Sequence, residues 1–566
     1  MSGRSSGTGS PPTVPPLTGD EAGEPLKNAE HVAAADQAIR PAKLIAVATL
    51  LSRILGLVRD KVTVFVFSRE TADALLLAWS IPNLFRRLFG EGALSAALMP
   101  VLARAERRGG APARLAALRS VVCALVLFLV PLCAVMVGVL LLVPERSLLR
   151  LFESEQVGRE TLTLLRLMLP YLVFVCIAAQ VQTFANIVGR FFVQALAPAL
   201  LNVLWIAFAF IAAARSAEAA DARWIAAAVL MGGAAQLLMQ YWDLTRAGVR
   251  LRAAPVWSED VRDVVMAAVP MFVGLAASQV NLLLDRWIAE RFVEGNGAVA
   301  QLYLGNRLMQ LPLGLVGVAL GTAAFPVIAR AAASENHGAL SGAITAALRT
   351  TWFLGLPAAI GLVVLARPIM DALFLGGRFG ERESLGAAHC LMAYAPTIIF
   401  QSAVLLLARV EYARRRQNRV ARISLGCVAL DLMLNFALVF SLGKVGLALA
   451  TTIAALANAL LLAIGIRMGD SLRWGRQLLI PLLRTAAAGL VMLGVVLVVR
   501  MAVGKLGLPT WWRIPGGAEI PAGALVELLT SMLLGIAAYF AAAGVFAREE
   551  RTEFFNLFKR RRPPAQ

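Results

Sequence analysis

Cysteine and histidine are nearly absent from this chain of 566 residues, which has five of the first and three of the second. The cysteines (Cys123, Cys133, Cys176, Cys390 and Cys427) lie in or beside apolar runs with no paired spacing. That pattern excludes a disulfide framework or zinc site and leaves them as small packing residues. The histidines (His31, His337 and His389) build no His-Glu-x-x-His motif, no triad-like grouping stands out, and Gly443-Lys444 lacks the upstream glycine of a phosphate-binding loop. An enzyme or an ATP-driven pump is therefore disfavoured. Charge is scarce as well, at 16% of residues, against 59% hydrophobic residues and a mean hydropathy of +0.72. A chain so apolar over so many positions is an all-α polytopic membrane protein.

The formal net charge of +19 invites a nucleic-acid reading, but its distribution opposes one. Basic residues cluster in short segments between apolar runs and in the closing Lys559-Arg560-Arg561-Arg562, the pattern of cytoplasmic loops beside anionic lipid headgroups. The first forty residues, rich in Ser, Gly and Pro, show no apolar core of a signal peptide and read as a disordered cytoplasmic tail.

Apolar runs of about twenty residues bounded by charges number about fourteen. Placing the N-terminus inside puts Arg104, Arg107, Arg108, Arg114 and Arg119, then Arg246, Arg250 and Arg252, then Arg414 to Arg422, all in the cytoplasm, together with the C-terminus. An internal echo organises the spans. Pro100-Val101-Leu102-Ala103-Arg104-Ala105 reappears as Pro326-Val327-Ile328-Ala329-Arg330-Ala331, each after a glycine-rich stretch and an earlier proline, Pro82 or Pro312. A duplicated six-helix unit follows, the layout of an alternating-access transporter. The expected division is a tail at 1–40, an N-lobe at 41–250, a C-lobe at 251–470, two further helices at 471–550 and a basic cytoplasmic tail at 551–566.

Charges inside the spans carry the functional signal. Arg53, Arg59 and Asp60 fall in the first span, and Asp73, Arg86, Arg87 and Glu91 in the second. An arginine facing lipid at mid-helix costs roughly 2.5–3.5 kcal/mol on insertion scales, so the four arginines require a wet cavity. Arg53 and Asp60, seven apart, share one helix face, with Gly56 between them permitting a bend or close approach. Pro82 invites a kink that leaves Asn83, Arg86 and Arg87 around the break. Ion pairing competes as an explanation: Arg87 with Glu91, or Arg53 or Arg59 with Asp73. The arginines, with Arg307 and with Arg286 in reach, nevertheless outnumber the acids. A guanidinium fork without a protein partner is a receptor for phosphate or pyrophosphate.

The second half holds another polar cluster: Ser278, Gln279, Asn281 and Asp285, then Asp431 and Asn435, then Thr451 and Thr452. Asp431 and Asn435 stack on one helix face and suit a small cation, although helix-helix hydrogen bonding is the commoner use of Ser, Asn and Thr in membranes.

The block Ser52-Arg53-Ile54-Leu55-Gly56-Leu57-Val58-Arg59-Asp60, then Ala72-Asp73-Ala74, Pro82-Asn83-Leu84-Phe85-Arg86-Arg87-Leu88-Phe89 and Glu91-Gly92-Ala93, closely resembles the signature of the MurJ/MviN lipid II flippases. So do Asn306-Arg307-Leu308-Met309-Gln310-Leu311-Pro312-Leu313-Gly314, Gly317-Val318-Ala319, and Leu373-Phe374 through Phe379. The resemblance implies two six-helix lobes in a V plus two C-terminal helices forming a lipid groove. It also implies transport of undecaprenyl-pyrophosphate-linked peptidoglycan precursor, lipid II, to the outer leaflet of the bacterial cytoplasmic membrane. Arg53, Arg59 and Arg307 match the family's central arginines and Asp73 its motif acid, with Arg86 and Arg87 beside them. Gly56, Asp60, Pro82, Asn83 and Glu91 then serve structure and gating. Some members carry a sodium site, and Asp285, Asp431, Asn435 and Thr451 sit in roughly the matching helices. No other cofactor is implied; sodium or the membrane potential would drive transport, and membrane lipids and the cell-wall synthesis machinery would be its partners. Asn306 departs from the aspartate many members place before the arginine, and the long N-terminal tail is atypical. A polysaccharide-repeat lipid flippase or drug exporter of the same architecture is the alternative, and an intramembrane enzyme on polyprenyl-phosphate lipid a further one.

Overall fold

Helix follows helix along the computed structural model, which describes residues 47–90, 93–215, 220–295, 297–314, 327–331, 337–414, 416–467, 475–506, 512–513 and 519–559. The tail at 1–40, Glu91, Gly317 to Ala319 and Arg560 to Arg562 lie outside the described residues. The first half comprises α1 (47–66), α2 (Arg69–Phe85), α3 (Ala93–Leu142), α4 (Glu145–Leu149), α5 (Glu155–Met168), α6 (Tyr171–Ile187), α7 (Phe192–Arg215) and α8 (Arg223–Arg246). The second half comprises α9 (Glu259–Phe292), α10 (Ala298–Leu313), α11 (327–331), α12 (His337–Val364), α13 (Ala366–Phe374), α14 (Glu381–Tyr394), α15 (Thr397–Ala413) and α16 (Gln417–Arg467). Then come α17 (Arg476–Lys505), α18 (Ala522–Phe546) and α19 (Arg548–Lys559).

Glycine and proline punctuate this run where their chemistry requires. α3 breaks at Gly109 and Gly110, the latter at φ +66°, and α16 at Gly443, at φ +56°, so each holds two helices joined across a kink. Between α5 and α6 the chain bends by 47° ahead of Tyr171, after Pro170. Among the described residues eight helices are long and apolar enough to cross a membrane, or nine when α5 and α6 count as one bent span. α1 escapes that criterion because it carries Arg53, Arg59, Asp60 and Lys61, and α10 because it has 16 residues. Two features were not legible in the sequence: an antiparallel two-residue ladder, Trp512–Arg513 with Glu519–Ile520, joins α17 to α18, and residues 551–559 continue as helix α19.

The halves repeat at the level of backbone hydrogen bonds. In the first, Leu172 N–H donates to Leu169 O, Val173 to Pro170 and Arg190 to Ala185; in the second, Ile398 donates to Ala395, Ile399 to Pro396 and Arg416 to Glu411. Each half thus breaks its fourth span after a proline and ends it with the same capping bond.

Packing relies on small residues, as expected where lipid supplies no hydrophobic drive between helices. A Cβ on Gly535 of α18 would meet Val496 of α17 at 2.7 Å, and one on Gly489 would meet Ile360 of α12 at 2.8 Å. Leu483, Leu490, Val498, Met501 and Leu533 of the α17–α18 pair stay exposed. A belt of outward-facing Leu, Val and Met is what a bilayer, rather than water, solvates.

Candidate functional site

Four guanidinium groups of the first half and two of the second surround one cavity of ≈ 260 Å³ between the halves. α1 supplies Arg53 and Arg59. In α2, Pro82 interrupts the hydrogen-bond ladder, and the helix passes at Arg86 into a π-helical turn, Arg86–Gly90, that holds Arg86 and Arg87 against the cavity. α9 brings Arg286 and α10 brings Arg307.

Asp60 is the hub. Its carboxylate, 3% exposed, takes Arg59 at 2.6 Å, Arg307 Nε at 3.2 Å and the Tyr303 hydroxyl at 3.1 Å. Arg59 also donates to the Tyr303 hydroxyl and lies over the Trp205 ring, 5.1 Å from its centroid. Arg307 comes so close to α1 that a Cβ on Gly56 would stand 2.9 Å from its Nη2, which explains a glycine there. Arg86 donates to Asn83 Oδ1 at 3.1 Å and Arg87 to Gln279 Oε1 at 3.3 Å. Arg286, buried, donates to Ser80 Oγ and covers the Tyr303 ring at 5.1 Å. Arg53 is exposed and forms no ion pair among the described residues. Six guanidinium groups thus converge on one cavity, with Asp60 pairing Arg59 and Arg307 behind it, an arrangement suited to a multiply charged anion with planar, bidentate-accepting oxygens. Arg286, which the sequence placed only within reach of the other arginines, lines the cavity itself.

Asp73 does not line this cavity. It sits at one end of the molecule, where its carboxylate accepts from the backbone N–H groups of Gly297 (2.8 Å), Val299 (3.4 Å) and Ala300 (2.8 Å), capping α10 of the other half. Glu290 on α9 reciprocates by accepting from Glu153 and Ser154 N–H, at 3.1 and 3.2 Å, at the start of α5. Arg69 pairs with Glu383 at 2.7 Å, and Arg378 N–H donates to Phe65 O at 3.1 Å. At the opposite, arginine-rich end the halves meet through Arg104 with Asp263 at 2.8 Å and Arg108 with Asp260, all well exposed apart from Asp260.

A second polar constellation lies where α9 crosses α16. Asn435 Nδ2 donates to Asp285 Oδ1 at 2.7 Å, and Asn281 Nδ2 donates to Asp431 Oδ2, a crossed box of two amides and two carboxylates. Asn281 Oδ1, Asp431 Oδ1 and Asn435 Oδ1 are buried with no hydrogen-bond partner among the described residues. Thr451 turns its hydroxyl back to Leu447 O at 3.3 Å, and Thr452 bonds Thr397 at 2.7 Å. Orphaned oxygens of this kind fit a hard cation.

The family model described as lipid II flippase MurJ matches residues 63–510. A probable lipid II flippase MurJ from Vibrio cholerae serotype O1 is 31% identical over 80% of this chain and 87% of its own length. The lipid II flippase MurJ of Burkholderia cenocepacia is 31% identical over 74% of this chain and 82% of its own. Among solved structures, a lipid II flippase MurJ in an inward closed conformation aligns with TM-score 0.69 and 22% identity, covering 89% of this chain and 99% of that one. An inward-facing MATE family multidrug resistance transporter aligns with TM-score 0.64 and 15% identity, covering 76% and 98%.

Proposed function

The chain belongs to the lipid II flippase MurJ family, and we propose that its arginine cavity receives the pyrophosphate of lipid II and carries it across the bacterial inner membrane as the two halves rock. The observation that carries this reading is the convergence of six guanidinium groups, from α1, the π-helical turn after α2, α9 and α10, on one cavity. Arg53, Arg59, Arg86, Arg87 and Arg307 bind the anion in this reading, with Gly56, Asp60, Pro82 and Asn83 holding them in place, while Asp73 gates the far end. The polyprenyl tail stays in lipid beside α17 and α18. The arginine-rich end faces the cytoplasm under the positive-inside rule, so both termini do too. An inside-negative potential then favours outward movement of the anionic headgroup by roughly 2.3 kcal/mol per charge per 100 mV.

The crossed box would hold a sodium ion through Asp285, Asp431 and the oxygens of Asn281 and Asn435, and Thr451, beyond the Gly443 break in α16, would be a further ligand. Sodium should then raise the thermal unfolding temperature of the purified protein relative to potassium, and Asp431→Asn should abolish the difference; equal unfolding temperatures in the two salts count against the site.

A cationic drug is disfavoured as cargo by the cavity's charge, and a polysaccharide-repeat lipid is separated by direct assay. Mass spectrometry of lipids copurifying with wild type should find lipid II, reduced about tenfold or more in Arg59→Ala, as expected on removing a charge-assisted contact. In cells depleted of their own flippase, Arg53→Ala, Arg59→Ala and Arg307→Ala should each fail to support growth. Survival of all three would remove the receptor role. Partners in the cell-wall synthesis machinery would then receive the cargo on the outer face.

A further inference from the structure

Arg86 and Arg87 reach the cavity from a stretch that leaves α geometry, the π-helical turn Arg86–Gly90. Such turns are rare and lie mostly at functional sites, so what holds this one decides where two of the guanidinium groups point. The contacts that hold it divide by half. Arg87 donates to Gln279 Oε1 at 3.3 Å, and the Phe89 ring stands 4.7 Å from that of Phe272, both partners belonging to α9 of the second half. These contacts part whenever the halves do.

Within the first half, α6 supplies two donors one turn apart. Gln180 Nε2 donates to Phe89 O at 3.0 Å, and Cys176 Sγ approaches Phe85 O at 4.0 Å. A thiol is a weak donor, so the amide is the principal polar tie. Phe85 and Phe128 also pack on the Phe89 ring, with centroids at 5.9 and 5.8 Å. Ring packing tolerates sliding, whereas a hydrogen bond to one carbonyl selects one backbone register.

Gln180 is 0% exposed, and its Oε1 has no hydrogen-bond partner among the described residues. Burying that oxygen unpaired is unfavourable, and a methionine would fill the position without the penalty. The amide is therefore explained by its donor, which serves Phe89 O. Val175, Ala179 and Gln182 of the same helix line the cavity, while Gln180 reaches the turn.

We propose that Gln180 is a positioning residue for the cargo site: its amide holds the π-helical turn in register, so that Arg86 and Arg87 stay directed into the cavity when the contacts to α9 are released. It touches no cargo and acts through the two arginines. The inference rests on the arginine cavity receiving a pyrophosphate and adds the group that keeps part of that receptor in shape as the halves move.

The test uses the full chain in lipid nanodiscs, with farnesyl pyrophosphate as the probe. Gln180→Met, which keeps the length of the side chain and loses the donor, should weaken binding about tenfold, the order of one charge-assisted contact. Added to Arg86→Ala with Arg87→Ala, where four guanidinium groups remain, it should change affinity by less than about twofold. Added to Arg53→Ala, on α1, it should again cost about tenfold. A glutamine that only stabilises the fold would weaken binding by the same factor in every background, and that result overturns the proposal, as does wild-type affinity in Gln180→Met. Should Gln180→Met not fold, Gln180→Asn, whose amide falls one methylene short of Phe89 O, carries the same comparison. If Arg53→Ala and the Arg86→Ala, Arg87→Ala pair both bind the probe as wild type does, the pyrophosphate reading itself fails and the proposal falls with it.

Discussion

The two ends of the cleft between the halves are held by different chemistry. At the end bearing Asp73, buried carboxylates cap helix starts of the opposite half: Asp73, 3% exposed, takes three N–H groups before and in α10, and Glu290, 7% exposed, takes two before α5. At the arginine-rich end, Arg104 with Asp263 and Arg108 with Asp260 are ion pairs whose arginines are about half exposed, at 52% and 51%. A carboxylate on backbone donors at a helix N-terminus is charge-assisted and shielded, whereas an exposed pair is worth about 0–1 kcal/mol and is screened by salt. The arginine-rich end is therefore the one that opens at least cost.

Removing Asp73 attacks the stronger side and should have the largest effect. Asp73→Ala strands three N–H groups, and a loss of about 3 kcal/mol is of the order of two hydrogen bonds to a charged group. The far end should open measurably, as a broadened and lengthened distance between spin labels at Arg150 and Arg382 in pulsed electron resonance. An unchanged distance would mean that the cap does not hold that end.

Glu290→Ala tests the reciprocal cap with a smaller expected shift, about 1–2 kcal/mol, because only two N–H groups lose their acceptor. The same label pair should show a minor open population, and combination with Asp73→Ala should exceed either alone. Arg104→Ala with Arg108→Ala should move the far end by nothing detectable and free the arginine-rich end by about 1 kcal/mol at most. Raising ionic strength in wild type should reproduce that opening and leave the Asp73 end closed. If salt opened both ends alike, the contrast between them would be false.

Much of this was legible in the sequence, for reasons specific to lipid. Arg53, Arg59, Arg86 and Arg87 stand out because the bilayer penalises lone guanidinium groups, so their presence within apolar runs already demands a sheltered, wet place. Pro82 and Gly56 were equally readable: the first precedes the π-helical turn holding Arg86 and Arg87, and the second is where Arg307 presses on α1. Other features gave no signal. Asp73 accepts from residues more than two hundred positions away, and nothing local in Ala72-Asp73-Ala74 says whether the carboxylate faces a cargo or a helix end. The Trp512–Arg513 ladder is too short to announce itself by alternation.

The sequence by itself determined that the chain spans a membrane as helices and that its arginines surround something hydrated. Both follow from the cost of placing unsatisfied polar groups in hydrocarbon, a cost each segment meets on its own. Only the tertiary structure decided which end is latched, that Asp60 gathers Arg59, Tyr303 and Arg307, and that arginines from both halves line one cavity. These depend on side chains from distant helices meeting at hydrogen-bonding distance, and a one-dimensional pattern carries periodicity and polarity but not the register between helices.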